Sequence, residues 1–446
     1  MVVTPISDRE FRLYSMAQPD AELLDSFVIS FSGKQGRGEC IAAILEHIER
    51  ADFSVLVLRR QTDHRLVLAT RYDSIQTKEM AYEILATSIP TDPTPLSIPS
   101  GVRKRKPLIS DRPDASEPFR LLTSTVEHFP ALMTVGEIYL ALPNPDQNFV
   151  SDFQTSNFNS RLWELYLFAC FREQGIQVSQ DYISPDFFIE KSGKSAFVEA
   201  VTANSHEPIL ESQRPTGQPK DKDDRLLGSS AERFAKSLRS KLQRHYETLP
   251  HVEGKPFALA IADFHAPGSM VWSRESLISY LYGIVPETIA DKNGQSVIAR
   301  EINSLKGKDS IPAGLFGNSD FELLSGVVFS NAATIAKFNR MGFLAGWRPP
   351  KLKMTRMGIL YDRTPGALQP ITFELDVLSE EYEQLWPFGE EWSIELEVFH
   401  NPFARYPISF ELIPGATHWF KEDGQIVCLS PWEWTVLSSV TMLFVE

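Results

Sequence analysis

The run Leu162-Trp163-Glu164-Leu165-Tyr166-Leu167-Phe168-Ala169-Cys170-Phe171 constrains this chain more than any other stretch. It is apolar around almost its whole circumference, which predicts a helix buried on all sides. Asn159 or Ser160 can cap its start, and Gly175 can end it. Glu164 is the exception within it. A carboxylate inside such a helix needs a donor, a cation or a proton, because an unpaired buried charge is strongly disfavoured. Pairing with Arg161 or Arg172 would satisfy it structurally; a place in a site would do so functionally.

Beyond Gly175 the periodicity falls from about 3.6 to about 2. Ile176, Val178 and Tyr182 predict a first strand, and Pro185-Asp186-Phe187-Phe188-Ile189 a second. Lys191-Ser192-Gly193-Lys194 reads as a hairpin turn into a third strand, Ser195 to Thr202, which is apolar except for Glu199. Glu199 shares a strand face with Phe197 and Val201, where an acid is out of place. After a polar excursion from Asn204 to Gly228, Phe234, Leu238, Leu242 and Tyr246 form one helical stripe. Arg233, Lys236, Arg239, Lys241 and Arg244 lie at its edges and back, and Lys255 to Phe264 predicts a buried strand. The expected order is helix, three strands, helix, strand.

That order, with Glu164 in the first helix, Pro185-Asp186 on the second strand and Glu199 on the third, resembles the core of the PD-(D/E)XK nuclease superfamily, the restriction-endonuclease-like fold. The resemblance covers roughly residues 155–265. It implies that Asp186 and Glu199 bind Mg2+ or Mn2+, that Glu164 assists as the helix acid, and that the substrate is nucleic acid, DNA or RNA. The family's lysine, two residues after the glutamate, would fall where this chain has Val201. In some members the cation migrates to the following helix, and Lys241, at the edge of the apolar stripe, is expected to take that role. Lys236, Arg239 and Arg244 are the candidates for holding phosphates. Gln243 and Tyr246 are similar to a Gln/Tyr signature that some nucleases carry on this helix, with a spacing one residue short.

With 446 residues, 43% hydrophobic and 11% aromatic, the chain has material for the cores of two or three domains. The expected fold class is α/β, α+β overall: an αβββαβ core at 151–285 between an N-terminal α+β domain (1–150) and a β-rich C-terminal region (286–446). In the first domain, Gly38–Arg50 predicts a helix from Ile41, Ile44, Leu45 and Ile48. Phe53–Arg59 and Arg65–Thr70 predict strands, and Lys78–Ile89 a helix. Ser32 to Gly38 lacks phosphate-loop spacing and reads as a flexible loop. Seven prolines between 89 and 118 predict an extended connection, whose Arg103-Lys104-Arg105-Lys106 run reads as a solvated linker or a nucleic-acid contact. In the tail, Ser393–Phe399 and Ile408–Ile413 predict strands, and five of the eight tryptophans follow residue 385.

The formal charge of −14 is unevenly spread. Residues 364–446 hold two basic against fourteen acidic residues, a net of −12, which leaves −2 for residues 1–363. A near-neutral core with a basic helix can still hold a phosphate backbone, since binding follows the local field. The acidic region suggests a second kind of partner, a basic protein. Cys40, Cys170 and Cys428 are too scattered for a disulfide framework and suggest a reducing, cytoplasmic setting; no run reaches the ~20 apolar residues of a membrane span. His206-Glu207, Asp263-Phe264-His265 and His400-Asn401-Pro402 lack zinc spacing, His265 being the one to watch. There is no Gly-x-Ser-x-Gly. The sequence therefore predicts a divalent-metal-dependent phosphodiesterase. The alternatives are a catalytically degenerate scaffold or nucleic-acid-binding module, for which Val201 speaks, and a protein-interaction component acting through its acidic tail.

Overall fold

A computed structural model describes residues 3–205, 217–291, 294–307, 311–364, 367 and 369–445. The chain is mixed α/β with several sheets and forms two compact units. One unit comprises Met1–Phe158, Leu165–Val178 and Phe338–Pro350; the other comprises Asn159–Glu164, Ser179–Lys337 and Lys351–Glu446. Glu164, Asp186, Glu199, Lys241 and the acidic tail thus belong to the same unit, while Leu165–Val178 of the candidate core belongs to the other.

The first unit is built on a five-stranded antiparallel meander, Thr4–Pro5, Phe27–Gln35, Cys40–His47, Phe53–Arg60 and Leu66–Ile75. The helix expected over Gly38–Arg50 is instead the central strand Cys40–His47. Cys40 to Leu45 are all fully buried, with Cys40, Ala42 and Ile44 on the face that packs against the helix Lys78–Ser88. A strand covered on both faces loses its polar alternation, and a continuous apolar run then imitates a helical stripe. The glycine-rich loop is likewise ordered: Ser32 to Gln35 pair in the strand ladder, and Gly36 and Gly38 turn the hairpin at φ 59° and 99°. Of the basic run, Arg103, Lys104 and Lys106 are exposed, whereas Arg105 is half-buried, donating to the Leu142 carbonyl from above the Tyr139 ring while its amide donates to Asp63.

The second unit is organised around an eight-stranded mixed sheet. Its order is Gln425–Leu429, Thr417–Glu422, Glu397–His400, Gly326–Phe329, Phe257–Phe264, Lys194–Asn204, Phe187–Lys191, with the short strand Gln177–Ser179 at the edge. Phe187–Lys191 and Lys194–Asn204 form the expected hairpin, Lys191 facing Lys194 across a two-residue turn. Ser192 and Gly193 adopt φ 48° and 74°, the positive pair that a tight hairpin of this twist requires. The crossover through the helix Ser229–Leu242 then places Phe257–Phe264 parallel to Lys194–Asn204. Phe197, Val201, Phe234, Leu238, Leu259 and Ile261 share the core between sheet and helix. Tyr182 lies outside the strand predicted for it, in the loop that leads to Asp186.

In the tail, only the second half of Ser393–Phe399 is strand: Trp392–Glu395 is a short 3-10 turn and Glu397–His400 follows as the strand. Ile408–Ile413 is not a strand either. Ser409 accepts a hydrogen bond from the Glu411 amide and starts a 3-10 turn, Phe410–Leu412. Among the described residues, no helix is long and apolar enough to cross a membrane.

Candidate functional site

Asp186 immediately precedes its strand, one step beyond the Phe187–Val198 pair, and the register therefore sets it opposite Glu199. Facing residues of an antiparallel pair share one side of the sheet, so the two carboxylates lie side by side. Val198, the neighbour of Glu199, faces the other way into the core, and it is this alternation that fixes where the acid points.

The surroundings of the two acids differ. Asp186 is half-buried and its Oδ2 accepts from the Ala200 amide at 2.7 Å. Burial, together with the Glu199 charge beside it, pushes the Asp186 carboxyl up to about 7. Glu199 is buried at 4% exposure, and its Oε1 accepts from the Lys241 ammonium at 2.6 Å and the Tyr246 hydroxyl at 2.7 Å. Its Oε2 is buried without a hydrogen-bond partner. Arg244 donates to the Tyr246 hydroxyl at 3.3 Å. Burial and the hydrogen bond to Glu199 raise the Tyr246 pKa above the ordinary phenol range.

Glu164 accepts from Arg161 through both oxygens, at 2.9 and 3.1 Å. Arg161 also acts electrostatically on Asp186, as does Lys241. Nearby, the Trp163 indole donates to the Ala260 carbonyl at 3.0 Å and ties this part of the helix to the sheet. The fold thus gathers Glu164, Asp186, Glu199, Lys241 and Arg244 into one neighbourhood. Two predicted phosphate contacts lie elsewhere: Lys236 pairs with Glu232 one turn away at 2.6 Å, and Arg239 donates to the Tyr280 hydroxyl and the Pro312 carbonyl. On a helix, positions 236 and 239 are rotated away from 241, which the spacing alone anticipates for Lys236. Val201 is core, and the cation beside Glu199 comes from the next helix.

A divalent ion needs oxygen ligands, and Mg2+ often takes only one or two from the protein, keeping waters and substrate phosphates for the rest. Among the described residues, no three His, Cys, Asp or Glu side chains are grouped to hold a metal. The Asp186–Glu199 pair fits the two-carboxylate case. The unpartnered Glu199 Oε2 would supply a ligand atom, and a dication would offset the burial and the Glu199 charge that raise the Asp186 pKa.

The sequence missed a second constellation. His265 Nδ1 lies 2.7 Å from Asp263 Oδ1, and His265 Nε2 lies 3.3 Å from Ser230 Oγ, a Ser–His–Asp order. Ser230 is only 1% exposed, so its hydroxyl is closed to a substrate, and the three groups tie the end of a strand to the first turn of a helix. His400 is bonded to His418 at 2.8 Å in the core, with His418 Nε2 donating to the Ile413 carbonyl. Burial lowers both imidazoles, to about 3 and about 4. His206 and Glu207 lie outside the described residues. Within the tail, Glu390, Glu395 and Glu397 are engaged by Lys337, Arg356 and Arg274, so these three acids offer no charge to a partner. No family model, curated protein or solved structure matches the chain.

Proposed function

We propose that this unit hydrolyses phosphodiester bonds of nucleic acid with a divalent cation held by Asp186 and Glu199. The reading rests above all on Glu199 Oε2, a buried carboxylate oxygen without a partner beside a second, partly protonated carboxyl. Burying such an arrangement is unfavourable unless a cation completes it. The element order, a helix with Glu164, a meander carrying Asp186 and Glu199, and a crossover helix carrying Lys241, supports a PD-(D/E)XK-like core.

A bound Mg2+ or Mn2+ would polarise a phosphate oxygen and acidify a water. Lys241, whose stem packs while its ammonium sits on Glu199, orients that carboxylate and faces the attacking water or the developing phosphorane charge. Tyr246 donates to the same oxygen and so helps to fix the carboxylate. Arg244, anchored through Tyr246, supplies positive charge for the phosphate backbone, and the Arg161–Glu164 pair balances charge behind Asp186.

A core that binds nucleic acid without cutting it is the second reading, favoured by Val201 and by the ion pair that Lys241 already makes. Cleavage of plasmid and single-stranded substrates with Mg2+ or Mn2+ separates the two. Cleavage is expected in the wild type and a loss of at least about 100-fold in Asp186→Ala and Glu199→Ala, the range seen when charge-stabilising groups are removed. Activity unchanged in both variants eliminates the mechanism; binding without cleavage in the wild type selects the second reading.

A further inference from the structure

The loop between the edge strand and Asp186 carries two apolar residues that the core does not take in. Tyr182 is 44% exposed and Ile183 fully exposed. A mobile, purely solvated loop would not hold its tyrosine as this one does. The Tyr182 ring is stacked on His251 at 3.9 Å between centroids and 1° between planes, and it meets Phe197 edge-on at 5.9 Å. His251 is itself fixed, its Nε2 lying 2.9 Å from the Ser184 carbonyl. Phe197 is two residues before Glu199 on the same face of the strand, and Tyr182 is four residues before Asp186. A flat, preoriented and partly exposed aromatic surface therefore stands beside the carboxylate pair, on the side of the sheet where Lys241 and Arg244 supply positive charge.

A positively charged groove and a partly exposed aromatic ring are the two elements that proteins combine to hold single-stranded nucleic acid, the backbone following the charge and a base stacking on the ring. We infer that Tyr182, braced by His251, is a stacking platform for an unpaired base next to the phosphate at the Asp186–Glu199 site, with Ile183 packing against the same nucleotide. The inference rests on the reading given under Proposed function and adds to it the substrate class: a single strand, or a duplex with a base turned out. A base paired inside a duplex keeps both faces covered by its neighbours and has none to offer the ring.

The test is equilibrium binding of a fluorescein-labelled 20-mer of deoxythymidine and of a blunt 20-base-pair duplex to the full chain, with Ca2+ replacing Mg2+ to hold back cleavage. The loss of one base–aromatic stack weakens binding by about 5- to 150-fold. Tyr182→Ala is expected to weaken the single strand by that factor and leave the duplex unchanged, while Tyr182→Phe, which keeps the ring, binds as the wild type does. Thermal unfolding of each variant shows whether the fold is intact, and Ile183→Ser, at a fully exposed position, provides a second probe that packing cannot confound. Single-strand affinity unchanged in Tyr182→Ala and Ile183→Ser, or an equal loss on single strand and duplex, overturns the platform while leaving the hydrolytic reading standing. A wild-type chain that binds neither oligonucleotide overturns both.

Discussion

Two clusters of buried charge lie in the same unit and solve the same physical problem differently. Around Glu390, every charge is answered: Lys337 lies 2.8 Å from it, Arg356 reaches both Glu390 and Glu395, and the Tyr382 hydroxyl donates to Glu390. Lys337, Arg356 and Glu390 are fully buried, and the two cations balance the two acids. Around Glu199 the balance is left open, with one oxygen doubly bonded, the other bare, and a like charge opposite. A closed cluster fixes a fold, because removing any member strands the others; an open one marks a candidate site for a ligand.

The largest expected effect tests the closed side. Glu390→Ala leaves two buried cations short of a partner and should destabilise the unit by about 3–5 kcal/mol in urea unfolding. Asp186→Asn should cost less than about 1 kcal/mol or stabilise the protein, because it removes a disfavoured charge. If the two variants behave alike, the contrast is broken.

Next in size is activity. Lys241→Met should slow cleavage by about 100-fold, the lower end for a positioned cation or acid–base group, while Lys236→Met should leave it unchanged. An equal loss in both would move the functional face of the helix.

The pH dependence of stability in EDTA sharpens the comparison further, since two regions contribute with opposite sign. The His400–His418 pair is neutral in the fold, with both groups below the unfolded value of about 6.5, so acid favours the unfolded chain. Stability should fall from about pH 6.5 downward, by on the order of 3 kcal/mol by pH 5 if both titrate. Asp186 is raised instead, so its contribution is present at low pH and is lost as pH rises from about 4 through about 7. Below about pH 7 the Asp186 loss offsets part of the histidine gain, so between about pH 4 and 7 stability should rise more steeply with pH in Asp186→Asn and on adding Mg2+; a profile identical in all three conditions contradicts an ion between the carboxylates. The smallest effect is expected at the exposed Lys236–Glu232 pair, where Lys236→Ala should cost no more than about 0.5 kcal/mol.

Much of the site was legible because it consists of exceptions to periodicity. Glu164 in an apolar helix and Glu199 in an apolar strand each break a pattern that their neighbours keep, and the Ser192-Gly193 turn fixes the register that brings Glu199 opposite Asp186. That Lys241 could reach Glu199 from the edge of the apolar stripe was legible from helical angle. The Arg161 partnership was one of two open choices, and only coordinates select it. Cys40–His47 was misread because a central strand and a buried helix both present an unbroken apolar run. The partner of Arg239, Tyr280, was not legible because it is distant in sequence and marked by no local pattern.

The sequence by itself marked the helix Phe158–Glu173, the hairpin Phe187–Lys191 and Lys194–Asn204, the helix Ser229–Leu242 and the strand Phe257–Phe264, and which acids depart from their surroundings, because those follow from side-chain period and turn chemistry within a few residues. Only the tertiary structure decided what each charge meets: that Glu199 shares Oε1 between Lys241 and Tyr246 and leaves Oε2 bare, that three acids of the tail are engaged internally, and that Ser230, His265 and Asp263 align. Such contacts join residues far apart along the chain, and their energies depend on burial and distance, quantities that exist only once the sheet is assembled.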